Sequence, residues 1–256
     1  MSLVWRALSL ALVWLSAGPA LAVINIENLS AQPTRIGWSG NTEAAVELRA
    51  GNSEREAVKI GARADWFDGE NTGFLVFGYD YGQSNSIKDA DSVFLHGRFI
   101  DAYSANTAFE YFAQIEQNEF RRLSSREIAG AGIRFTLSQP EQRLQHTLAA
   151  GLFHADEEID TLTPYPKDSE SGVFGNFYWV MKYELNERSA LVNTLYWQPA
   201  LHGRDGFRML DLFSFRVQID GRLSLKVSAT VDHDSHPPGG IEKTDSSLLT
   251  GLSYEF

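Results

Sequence analysis

Apolar and polar residues alternate along most of this chain, and beyond residue 22 no apolar run is long enough for a transmembrane helix. Leu223 to Asp232 is the clearest stretch. Leu223, Leu225, Val227, Ala229 and Val231 share one face; Ser224, Lys226, Ser228, Thr230 and Asp232 share the other. A period of two is a β-strand with one apolar and one polar side. In Ala57 to Trp66, Val58, Ile60, Ala62, Ala64 and Trp66 oppose Lys59, Gly61, Arg63 and Asp65. In Ala44 to Ala50, Ala44, Val46, Leu48 and Ala50 oppose Ala45, Glu47 and Arg49. A soluble sandwich alternates in the same way, so length has to discriminate. These segments run to about 10 residues, the length a tilted strand needs to cross a bilayer; ordinary strands average about 5–6. About 12 can be placed, an even number, near 42–51, 54–67, 72–83, 92–101, 107–119, 125–137, 144–156, 172–185, 189–198, 206–219, 222–233 and 244–256. A chain that spans a membrane with strands must close them into a barrel, because lipid tolerates no unpaired strand edge. The expected fold is therefore all-β: a transmembrane, antiparallel, up-and-down barrel.

The connections alternate too. One set is short: Asp68-Gly69-Glu70, the turns at 102–104 and 138–141, Asn186-Glu187-Arg188 and Asp220-Gly221. The other is mostly longer, at 83–91, 157–171, 199–205 and 235–243, with Gly51-Asn52-Ser53 and the link near Arg121-Arg122 as exceptions. Short periplasmic turns opposite longer outer loops, with both termini inside, is the pattern of bacterial outer-membrane barrels. Aromatic rings fall where strands meet the interface: Trp66, Phe67, Phe99, Tyr183 and Tyr254 at inner ends, Tyr79, Tyr81, Tyr196 and Trp197 at outer ends.

The two ends of the sequence agree with export. Met1 to Ala22 reads as a cleaved signal peptide: Arg6 supplies the positive start, Ala7 to Ser16 the apolar stretch, and Ala20-Leu21-Ala22 the small-x-small cleavage site. The barrel domain is then 23–256. Its final strand ends on Phe256, with Tyr254, Leu252, Thr250 and Leu248 at alternate positions before it. Leu248, Leu252, Tyr254 and Phe256 resemble the signal that outer-membrane proteins present to their assembly machinery. The chain has no cysteine, so disulfides, thiolate metal sites and thiol chemistry are excluded. With 33 acidic against 22 basic side chains it carries a net charge of −11, which disfavours nucleic acid. The expected partners are outer-membrane lipid, lipopolysaccharide and the assembly machinery, for a monomer located in the outer membrane.

Function is less legible. A barrel of about 12 strands lies between the side-chain-filled barrels of 8 and the open porins of 16–18. Its predicted inward faces carry Arg49, Lys59, Arg63, Arg98, Arg134, Lys182, Arg216 and Lys226. They also carry Glu43, Glu47, Asp80, Glu110, Glu116, Glu184 and Asp232. Such a lumen is either a narrow polar pore or an interior filled by ion pairs, the latter in a structural or adhesive envelope protein; at this width both stay open. No cofactor and no metal site is expected. Asp156, Glu157, Glu158 and Asp160 add carboxylates to the outer rim, but their spacing matches no calcium loop. Asp89 and Asp91, with Asp234 and His236, resemble the catalytic set of the outer-membrane omptin proteases, in which a carboxylate orients a histidine that activates water. The rest of the chain has no omptin-like segment, and the expectation is a non-enzymatic protein.

A broader resemblance is carried by Gly37-Trp38-Ser39-Gly40, Val46-Glu47-Leu48, Ala50-Gly51-Asn52-Ser53, Asp65-Trp66, Phe120-Arg121-Arg122-Leu123, Gly130-Ala131-Gly132-Ile133-Arg134 and the closing Gly251-Leu252-Ser253-Tyr254-Glu255-Phe256. Together these resemble the salt-stress-induced outer-membrane protein family, a domain-of-unknown-function family of Gram-negative barrels. The resemblance implies an outer-membrane barrel and a link to salt or osmotic stress. It brings no activity and no catalytic residues, and the acidic segment 157–171 is an insertion it does not lead one to expect.

Overall fold

The computed structural model describes residues 36–49, 54–139, 141–161 and 168–256. The expected signal peptide at 1–22, the expected turn at Gly51-Asn52-Ser53 and the middle of the acidic segment lie outside the described residues, as does the side chain of Arg49.

The described strands are β1 (Gly37–Arg49), β2 (Arg55–Phe67), β3 (Thr72–Ser84), β4 (Ile87–Ser104), β5 (Thr107–Asn118), β6 (Leu123–Thr136), β7 (Leu144–Ile159), β8 (Asp168–Asn186), β9 (Ser189–His202), β10 (Phe207–Asp220), β11 (Leu223–Asp234) and β12 (Thr244–Glu255). Each pairs antiparallel with its chain neighbours, and β1 pairs with β12 to close the barrel. The sequence alternation is read out directly. On β2, Ala57, Gly61, Arg63 and Asp65 are buried inside, while Val58 and Ile60 face out. The outer surface carries Trp38 at 72% exposure, Leu48 at 77% and Leu248 at 72%. Side chains of this kind ringing a whole molecule belong against hydrocarbon, not water.

β4, β7, β8 and β9 exceed their expected lengths at the end opposite the termini, and β1 begins at Gly37, ahead of its expected start at residue 42. The expected loop at 83–91 is a hairpin turn of two residues, Asn85 and Ser86, at φ 48° and 63°. Two successive positive φ values give a type I′ turn, whose twist matches that of the flanking strands. The two ends of the segment 157–171 are likewise ladder, since β7 runs to Ile159 and β8 starts at Asp168. Polar composition marked these stretches as loops, but strands that rise past the lipid need no apolar face. Glu119–Arg121 forms a single 3₁₀ turn between β5 and β6.

Tyr196 corrects the expected girdle. It is 4% exposed and lies inside, while Trp197 beside it is 48% exposed on the outer face. Adjacent residues in a strand point to opposite faces, so both rings cannot meet lipid. Gly130-Ala131-Gly132 forms regular ladder, with Gly130 between Phe112 and Phe153. A Cβ there would lie 2.6 Å from the Phe153 Cβ, so the missing side chain lets the two rings meet.

The closing seam is the shortest pairing in the barrel. Its register covers Asn41↔Glu255 to Ala44↔Leu252, extended by the two backbone hydrogen bonds between Gly40 and Phe256 at 3.1 and 3.0 Å. The Phe256 ring lies over Gly40, where a Cβ would come within 2.8 Å of it.

Candidate functional site: the barrel lumen

Inward-facing side chains from opposite walls meet at mid-height. Phe74 and Val76 on β3, Ala149 on β7, Tyr178 and Val180 on β8, Val192 and Tyr196 on β9 and Leu212 on β10 form one buried apolar cluster. A polar knot ties into it. Arg98 Nη1 donates to the Tyr178 hydroxyl at 3.1 Å and to Glu110 Oε2 at 3.3 Å, and the Tyr178 hydroxyl donates to the same Glu110 oxygen at 2.5 Å. Glu110 is fully buried. Arg134 approaches its carboxylate at 4.0 Å, and the Arg63 guanidinium sits 3.9 Å over the Phe74 ring. His96 is stacked among Phe74, Phe94 and Phe112 at 6.0 to 6.1 Å. In an open channel these inward side chains would be wet. Here Val76, Glu110, Val192, Thr194 and Ser214 have no exposure at all, so the lumen is filled at this height.

Toward the end opposite the termini a second layer is ionic. Arg208 on β10 holds Glu157 of β7 in a two-pronged pair at 2.6 and 2.9 Å, and its Nε donates to Asp234 at 2.9 Å. Two parallel bonds of this kind combine charge with geometric fit. Arg204 reaches the same two carboxylates at 3.1 and 2.8 Å. Arg126 Nη1 donates to Glu116 at 2.9 Å, and its Nε lies 3.1 Å from Glu157. Across the mouth, Arg121 from the β5–β6 link bonds Asp232 on β11, and Arg122 bonds the Gly239 carbonyl in the β11–β12 connection. β5 and β11 stand on opposite walls of the ring, so these contacts form a clasp across the barrel.

Two cavities of about 90 Å³ each lie between the filled layer and the clasp, both touching Phe94, Glu116, Arg121 and Asp232. One extends toward β1 and β12 past Glu43, Lys59, Asp80 and Lys226. The other runs past His96, Arg98, Arg126 and Arg208.

Residues 42–256 match the family described as "Protein of unknown function, DUF481". The chain belongs to this family. No curated protein sequence matches this DUF481 chain significantly. Its fold is similar to that of the NanC porin, at a TM-score of 0.52 and 7% identity, over 85% of this chain and 100% of that one. It is similar also to the translocator domain of the autotransporter NalP from Neisseria meningitidis, at 0.51 and 12%, over 86% and 87%. At these identities the likeness is one of fold: the DUF481 chain is a closed, antiparallel barrel of outer-membrane type. The family description names no role, so the salt-stress association keeps its footing in resemblance alone.

The DUF481 barrel brings most of the expected lumen residues with described side chains inside as ion pairs. Lys59 pairs with Asp80 at 2.7 Å, Arg63 with Asp65 at 2.6 Å, Lys226 with Glu43 at 2.5 Å and Lys182 with Glu184 at 3.7 Å. Arg216 pairs with Glu255. Arg98, Glu110 and Arg134 form the mid-height knot, and Glu116 the link to Arg126. Leu248, Leu252, Tyr254 and Phe256 all point outward on β12 and on the residue after it. The rim carboxylates separate: Glu157 turns inward to three arginines, while Asp156 and Glu158 face out. The residues of the omptin-like set each have partners of their own. Asp89 is engaged by Ser84 and Arg55 and Asp91 by Lys88, on the β3–β4 side. Asp234 is held by Arg204 and Arg208, and the His236 ring bonds Ser235. Sequence reading passed over Arg126, Arg208, His96 and Tyr178. All four were within reach of the alternation rule: Arg126 shares the face of Arg134, and Arg208 that of Arg216.

Proposed function

We propose that this chain is an outer-membrane barrel that works as a gated, narrow pore for small polar solutes, closed in the form described here. The observation that carries the reading is the pair of charged cavities held between a filled layer and a clasp of ion pairs. A barrel serving only as a scaffold has no need of a polar chamber. A permanently open pore would not bury Glu110 and Val76 completely. The outer-membrane location is supported by the apolar outer face and by the likeness in fold to the NanC porin. Induction by salt or osmotic stress is the corollary that the family resemblance adds. A plugged structural barrel is the second reading, favoured by the same zero exposure at mid-height.

Conductance of the refolded protein in a planar bilayer separates the two. Wild type should stay mostly closed, with brief small steps. Arg121→Ala, which removes the clasp, should raise the open fraction several-fold, and Phe74→Ala in the filled layer should enlarge the steps. Steady large currents in wild type, unaltered by either change, would refute gating. Silence in all three, with insertion verified by gel migration before and after boiling, would establish the structural reading instead.

A further inference from the structure

The cavity beside His96 is lined by two polar side chains, His96 and Arg126, that each keep a buried atom without a partner among the described residues. Its wall presents four guanidinium groups, Arg98, Arg121, Arg126 and Arg208, against two carboxylates, Glu116 and Asp232. Arg98 and Arg208 find their carboxylates behind this wall, in Glu110, Glu157 and Asp234, while Arg126 pairs with Glu116 and with Glu157, which it shares with Arg204 and Arg208. Arg126 Nη1 donates to Glu116 and its Nε faces Glu157, but its Nη2 finds no acceptor among the described residues. The side chain is nine-tenths buried. A buried charged donor without an acceptor costs free energy that an incoming ligand can recover.

On the same cavity, His96 Nδ1 lies 3.1 Å from the Gln114 side-chain oxygen. With that oxygen as acceptor, Nδ1 carries the ring proton and Nε2 is left with a bare lone pair. Nε2 is buried and likewise has no partner among the described residues. The side chains lining the cavity therefore include a cationic donor and a neutral acceptor, both covered in the form described here. An oxyanion that also bears a hydroxyl satisfies both: an anionic oxygen on Arg126, an O–H donated to His96. The cavity is small, about 90 Å³, which favours a small ligand.

We propose that the cavity between His96 and Arg126 is a binding site for one small hydroxylated oxyanion, of the class of dihydrogen phosphate or an α-hydroxycarboxylate such as glycolate. This goes beyond the pore reading and does not require the barrel to conduct. Bound there, the anion would bridge β4 and β6 below the clasp.

The test is calorimetric titration of the full refolded barrel in detergent micelles near pH 6, after long equilibration so that the clasp can open. Phosphate and glycolate are the probes; sulfate and acetate, which carry no hydroxyl at that pH, are the controls. Phosphate, glycolate or both should bind at least tenfold more tightly than their controls, and the tighter of the two identifies the source of the oxyanion. Arg126→Lys keeps the charge but removes Nη2, and should weaken binding about tenfold or more, the loss of one charge-assisted hydrogen bond. His96→Phe keeps the ring stack but removes Nε2, and should bring phosphate down to the level of sulfate while leaving sulfate unchanged. Gel migration before and after boiling shows whether each variant is folded. No binding of either probe at millimolar concentration to folded wild type overturns the proposal. So does equal binding of probe and control, or binding indifferent to His96→Phe.

Discussion

Gly130 shows how one absent side chain organises a lumen. Its neighbours across the ladder, Phe112 on β5 and Phe153 on β7, face inward, and their ring centroids stand 6.4 Å apart. Gly130→Ala would place a methyl against the Phe153 Cβ, a backbone-anchored atom with little room to move. Overpacking of this sort costs about 1–3 kcal/mol, so the urea midpoint of unfolding should fall, while Gly239→Ala, with open space around it, should leave the midpoint nearly unchanged. Asp68 acts at the other extreme of exposure. Its Oδ1 accepts the backbone N–H groups of Asn71 at 2.7 Å and Glu70 at 2.9 Å, closing the β2–β3 turn. Those bonds, the one from Asn71 above all, hold its carboxyl below the ordinary value of 3.8. A depressed pKa means stability that is present above 3.8 and lost as pH falls through the lower folded value. Asp68→Ala should therefore unfold more readily than wild type at pH 7, and the difference should shrink as the pH is brought below 3.8, which unfolding followed across pH would show.

At the scale of the strand, the sequence was readable because period two is enforced twice over, by lipid outside and by neighbours inside. β2, β3, β11 and β12 lie within two residues of their expected bounds. The misreadings cluster where one enforcer is missing. Past the lipid the outer face of β4 becomes polar, so Ile87 to Asp91 looked like loop. The same holds for the start of β8 at Asp168 to Ser171. The strands are unequal in pairing. β7 and β8 share an unbroken register from Leu144↔Tyr183 to Ile159↔Asp168, whereas β1 and β12 share the four pairs from Asn41 to Ala44. Above Ala44↔Leu252 the seam offers no further ladder pair among the described residues, although β1 continues to Arg49. Amide hydrogen exchange should accordingly be faster at those of Ala45 to Leu48 whose N–H groups face β12 than in the middle of β7 and β8. Uniform protection across both pairs would show that the seam zips to its top in solution.

For the whole molecule, the candidate site could be read in its parts and not in its joins. Alternation places Arg98, Glu110 and Lys226 inside, but no local rule says that Arg98 meets Tyr178 on a strand four places away, or that Arg121 crosses the mouth to Asp232. Those contacts depend on the ring being narrow enough for a guanidinium to reach the far wall. That width follows from strand number and stagger together. The sequence left pore and plug equally open for this reason. The decision rests on a few side chains of particular length, Arg98, Tyr178 and Phe74 at mid-height and Arg121 at the mouth, and not on composition.

The joining of β1 to β12 also bears on how the ring is made. Every other pairing links segments adjacent in the chain and can form as a hairpin soon after both strands exist. Gly40 and Phe256 must find each other across nearly all the intervening polypeptide, and the entropy of closing a loop grows with its length. Formation of this barrel is therefore a sequence of fast local steps ended by one slow, long-range one. Until that step, an open sheet edge stays exposed and sticky to strands of other molecules.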